Sequence, residues 1–88
     1  MADVYAPNAE SAEFARAAAE TYVRLADPMD PEELKDESVY SGVLRSLIAD
    51  LCHLADSVGI VGDREELVLK GYGDYRTEVA YEAYDPAA

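Results

Sequence analysis

Eighty-eight residues are enough for one domain of ordinary size, and half of them are apolar while 30% are charged, a balance that favours folding over disorder. Nineteen acids against seven lysines and arginines give a formal net charge of −12, which sets the chain against DNA, RNA and anionic membranes as direct ligands, because each would meet like charge. A lone cysteine, Cys52, excludes an internal disulfide and a thiolate metal cluster.

Taken in chain order, the first periodic segment runs from about Ala9 to Ala26. Phe14, Ala18, Tyr22 and Leu25 recur at helical spacing and define its expected inward face. Asn8 or Ser11 is placed to cap it. Asp27 before Pro28 should end it, since a residue preceding proline is pushed out of the helical region.

The next stretch, Asp27 to Glu37, holds six acids in eleven residues and one base, Lys35. Within it, Asp30, Pro31 and Glu33 form a helix-start signature of cap, first-position proline and capping-box acid. One or two turns of helix are expected inside a connecting segment.

The central helix is expected from Val39 to Val58, with Ser38 as its cap. Tyr40, Val43, Leu44, Leu47, Ile48, Leu51, Leu54, Ala55 and Val58 follow one another at steps of one or three residues, which gives an apolar face wide enough for two neighbouring helices. Gly59 followed by Ile60 reads as a left-handed stop with an apolar residue just beyond it.

Asp63 with Glu66 repeats the start signature, and a third helix would carry Leu67, Val68, Tyr72, Tyr75 and Val79. Gly71 and Gly73 oppose it, at about 1 kcal/mol each relative to alanine. The competing arrangement is a hairpin turning at Gly71–Asp74, supported by strand-period alternation from Tyr75 to Glu82. An isolated two-stranded ribbon is only marginally stable, which favours the helix. The residues after Glu82 should be irregular.

The segment Leu47-Ile48-Ala49-Asp50-Leu51-Cys52-His53-Leu54-Ala55-Asp56, with Tyr75-Arg76-Thr77-Glu78 downstream, resembles small helical proteins of bacteria and phages. Those proteins pair an Asp-Leu-x-His-Leu-Ala-Asp helix with a second helix bearing His-Tyr-x-x-Glu. Here Asp74 stands in place of the second histidine. The resemblance implies a helical third element and a phage or mobile-element origin, and it carries over no catalytic residue.

Little else points to catalysis. His53, the single histidine, has Asp50 and Asp56 three residues to either side, and such steps drift by about 60° around a helix, so the three do not converge on one metal. The pairs Glu32-Glu33 and Asp36-Glu37 resemble the acidic helices of all-α nucleotide pyrophosphohydrolases, but no facing pair completes a magnesium site. No serine elbow, nucleophilic triad or phosphate-cradling loop is present. The expectation is a protein that is not an enzyme and needs no cofactor. Among the seven tyrosines, Tyr22, Tyr40, Tyr72 and Tyr75 fit core faces, while Tyr81 and Tyr84 are expected at the surface.

The charge itself suggests a function. B-form DNA carries about one negative charge per 1.7 Å of axis, so a charge of −12 matches on the order of 20 Å of duplex. Asp27, Asp30, Glu32, Glu33, Asp36 and Glu37 form the leading candidate patch, and Asp63, Glu65 and Glu66 extend it. The partner would be a basic nucleic-acid-binding protein or complex, steered in by long-range attraction. The expected protein is thus an all-α three-helix bundle with a short extra acidic turn, residues 1–88 forming a single domain; an α+β fold with a C-terminal hairpin is the alternative. Its expected role is a non-enzymatic inhibitor acting by DNA mimicry, of the anti-CRISPR or anti-restriction kind. The alternative role is a helical interaction module that binds through an apolar surface, a homodimer included. A merely solubilising face or a halophile's surface would show the same acidity. No apolar run approaches the roughly 20 residues that cross a bilayer, and residues 1–7 lack the basic and apolar parts of a secretory signal. The expected location is therefore the cytoplasm, that of the host cell for a phage protein.

Overall fold

The computed structural model describes residues 8–84, and its architecture is all-α. Three helices, α1 (Asn8–Ala26), α2 (Glu37–Ser57) and α3 (Arg64–Tyr84), are joined by a connection containing a 3₁₀ turn at Glu33–Lys35 and by a short glycine-bearing loop. Among the described residues there is no strand, so the hairpin alternative is set aside. The described residues divide into two compact units, Phe14–Ile60 and residues 8–13 with 61–84, and each is described by itself.

In the Phe14–Ile60 unit, α1 ends at Ala26, directly before Asp27 and Pro28, as the proline requires. Its inward face differs from the expected one. Ala19 and Val23 are buried and Tyr22 is half-buried, whereas Phe14 and Leu25 are 64% and 81% exposed. The stripe is rotated by one residue, so that Ala19 and Val23 face inward and the bulky pair is left outside.

The connection follows its sequence signature closely. The Glu32 amide donates to Asp30 Oδ1 at 2.9 Å and the Asp30 amide donates to Glu33 Oε2 at 3.1 Å, a reciprocal capping arrangement. The cap of α2 is Asp36 rather than Ser38. Both the amide and the hydroxyl of Ser38 donate to Asp36 Oδ1, at 2.9 and 2.8 Å, so α2 begins two residues earlier than the apolar pattern suggests. At its other end Gly59 takes φ +77°, the Gly59 amide donates to the Asp56 carbonyl and the Ile60 amide to the Ala55 carbonyl. This is a Schellman stop. Val43 and Ala55 are the buried residues of α2.

In the other unit, Asp63 caps α3 by accepting from the Glu65 amide at 3.1 Å. The Asn8 side chain, expected as a cap for α1, instead donates to the Glu78 carbonyl at 3.4 Å and to Glu82 at 2.8 Å. The helix runs straight through Gly71 and Gly73 and on to Tyr84, two residues beyond the expected end. None of Leu67, Val68, Tyr72, Tyr75 and Val79 is buried, so the face expected to be inward is solvent-facing along its length. Tyr72 and Tyr75 stack on each other, with ring centroids 5.8 Å apart, and do not enter a core. Residues 85–88 lie outside the described residues.

Candidate interaction surfaces

Asp27, Asp30, Glu32, Glu33, Asp36 and Glu37 are all exposed and belong to the Phe14–Ile60 unit. Several have structural employment. Asp30 and Glu33 close the capping box, Asp36 caps α2, and Glu32 lies 2.9 Å from Lys35 Nζ. The Asp36 carboxyl is held below the usual carboxylate range, first by the Ser38 hydroxyl and then by the Ser38 amide. Caps and charge thus coincide: the residues that start two helical segments are also the ones that concentrate the negative charge. Asp63, Glu65 and Glu66 are likewise exposed but sit in the other unit, where Asp63 caps α3 and Glu66 lies 3.9 Å from Lys70 Nζ.

Between α1 and α2 lies an open groove of about 440 Å³. Val23 and Val43 line it together with small residues Ala26, Gly42 and Ser46, and Asp27, Asp50 and Tyr22 supply its polar groups. The Tyr22 hydroxyl donates to Asp50 Oδ2 at 2.6 Å, the short distance of a hydrogen bond to a charged acceptor. This bond, followed by burial and by the Asp50 and Asp27 charges, raises the Tyr22 phenol above its ordinary value.

A second surface is the one sequence reasoning treated as core. Along α2, Leu44, Ile48, Leu51, Leu54 and Val58 are 42%, 48%, 51%, 55% and 63% exposed. Scattered exposed leucines are ordinary, but these five follow one another at three- and four-residue steps and form one continuous stripe. The full burial that the spacing implied is therefore not present; only Val43 and Ala55 of that face are buried. No sequence signal separates a stripe that is covered from one that is left half open.

His53 is exposed and Cys52 is half-buried. Among the described residues, no group of three or more His, Cys, Asp or Glu side chains is arranged to hold a metal ion. None of the described helices is long and apolar enough to cross a membrane. No protein-family model, curated protein or solved structure matches this chain.

Proposed function

We propose that this protein is a non-enzymatic helical interaction module whose principal contact is the apolar stripe of α2. The observation that carries this reading is the half-open state of Leu44, Ile48, Leu51, Leu54 and Val58. Covering the exposed half of such a side chain contributes about 1 kcal/mol, so the stripe as a whole holds an amount comparable to the lower end of a small domain's entire stability. Among the described residues the buried apolar set is two alanines and two valines, a small core that would gain from any partner binding the folded state.

A second reading rests on the exposed carboxylates of Asp27–Glu37, where six acids face a single base, Lys35, which is already paired to Glu32. In that reading the segment imitates a nucleic-acid backbone, and the chain blocks a basic nucleic-acid-binding protein such as a CRISPR or restriction complex in the cytoplasm of a phage's host.

One experiment addresses both. The full chain, Leu51→Lys and the triple change of Asp27, Glu32 and Glu37 to lysine are each used to retain nucleic-acid-binding proteins from a bacterial lysate at low and then high salt. Retention that survives high salt and is lost with Leu51→Lys supports the stripe. Retention that is lost in salt and in the charge-reversed variant, and is displaced by a DNA duplex, supports mimicry. Absence of any Leu51-dependent association, neither with a lysate protein nor between copies of the chain, would overturn the first reading.

A further inference from the structure

We propose that the occupant of the α2 stripe is a second copy of this chain, with the two α2 helices docked antiparallel in a dimer. This rests on the stripe being an interaction surface, as argued above, and goes further by naming what covers it. Three observations on α2 converge on a copy of itself.

The first is period. Leu44, Leu51, Leu54 and Val58 of the stripe, taken with the half-buried Tyr40 and Leu47 beside them, follow one another from Tyr40 to Val58 at steps of four, three, four, three and four residues. That is an unbroken a/d heptad repeat, with Leu44, Leu51 and Val58 at one position and Tyr40, Leu47 and Leu54 at the other. Such a seam fits the seam of another helix by knobs-into-holes packing.

The second is charge. The protein carries −12 overall, yet from Tyr40 to Val58 the charged residues are Arg45, Asp50 and Asp56. Arg45 and Asp56 fall on the side away from the seam. Asp50 flanks it and is already engaged by Tyr22. The remaining flanking positions hold Ser41, Val43, Ile48, Ala55 and Ser57. A strongly basic partner would find nothing there to pair with, whereas a copy of the same neutral seam meets no like charge.

The third is orientation. The acids of Asp27–Glu37 adjoin the N-terminus of α2, and α2 has 21 residues, about 31 Å at 1.5 Å per residue. A parallel pair would bring two acidic segments together. The antiparallel pair holds them at opposite ends, roughly four Debye lengths apart at physiological salt, and aligns the helix dipoles favourably. In the symmetric antiparallel register Leu47 meets Leu51, Leu44 meets Leu54, and the large Tyr40 meets the smaller Val58, each layer being completed by its two-fold mate.

The test is sedimentation equilibrium of the full chain at high salt across the micromolar to millimolar range, together with binding of the apolar dye ANS. Expected is a species of twice the 9.6 kDa chain mass. Leu51→Lys should weaken it about tenfold at each of two symmetric positions, hence on the order of 100-fold in all. To guard against a variant that simply unfolds, chains carrying Leu44→Cys are mixed with chains carrying Leu54→Cys, both in a Cys52→Ser background. A mixed 44–54 disulfide supports the antiparallel dimer, and like-with-like disulfides overturn it. A monomer that binds ANS unless Leu51 is changed overturns the dimer while leaving the stripe open to another partner. A monomer that binds no ANS overturns both.

Discussion

Helices α2 and α3 are each 21 residues long, but they are ordered by different means. α2 has a side-chain cap at one end, a Schellman stop at the other, and a sustained apolar seam between them. α3 is capped at its start by Asp63, carries two interior glycines, and buries none of its described side chains. Val68, Tyr72, Tyr75 and Val79 share one side of it, Leu67, Leu69 and Tyr81 lie elsewhere around the helix, and all seven are exposed. The contrast teaches that length and capping start a helix, while side chains buried against the rest of the fold give it something to hold.

The sharpest way to break the comparison is a matched pair of substitutions. Val43→Asp on α2 puts a charge where the side chain is buried and should cost about 3 kcal/mol or more. Val79→Asp on α3, where the side chain is exposed, should stay within about 0.5 kcal/mol. Urea unfolding followed by circular dichroism checks both; equal costs would mean that α3 is as firmly packed as α2.

A gain should be available on the weaker helix. A Cβ added at Gly71 or Gly73 meets no atom within 4 Å, and both glycines are helical. Changing both to alanine should therefore stabilise α3 by about 2 kcal/mol in sum, read as increased helicity and a higher Tm. Unchanged stability would show that α3 is not limited by its own backbone.

The smallest effect concerns the caps. The Asp36 carboxyl is held below its ordinary value by Ser38, so the folded state favours its ionised form. Its contribution is fully present above the ordinary carboxyl value and is lost as pH falls through the lowered one. Asp36→Asn, which caps without titrating, should flatten the acid limb of α2 helicity. If the limb is unchanged, other carboxylates govern it.

Much of this fold was legible from short signals. Asp27-Pro28 marked the end of α1, Asp30 with Glu33 marked the 3₁₀ turn, Gly59-Ile60 marked the stop of α2, and each depends only on neighbouring residues. Asp36 was missed as the cap because Ser38 lay closer to the apolar pattern, although Asp36 is the residue whose oxygen reaches the Ser38 donors. The inward face of α1 was misjudged because Phe14 and Leu25 dominate any count of hydrophobicity, while the buried residues Ala19 and Val23 are chosen by size. For α3 the two glycines kept a hairpin in contention. The acids of Asp27–Glu37 were visible in sequence, but their use as caps became clear only from the hydrogen bonds. That the α2 stripe is half open depends on tertiary packing, and no local signal encodes it.

The bond between Tyr22 and Asp50 makes the junction of α1 and α2 sensitive to alkali. Because the phenol is raised above its ordinary value, its contribution is intact at and below that value and disappears as pH climbs through the raised one. Once the proton leaves, a phenolate confronts the Asp50 carboxylate with Asp27 nearby, and what was a latch becomes a repulsive contact. The chain also lacks tryptophan, so ultraviolet absorbance can follow tyrosine ionisation directly. In strong base the two helices should part at the rim of their groove before the rest of either one unwinds.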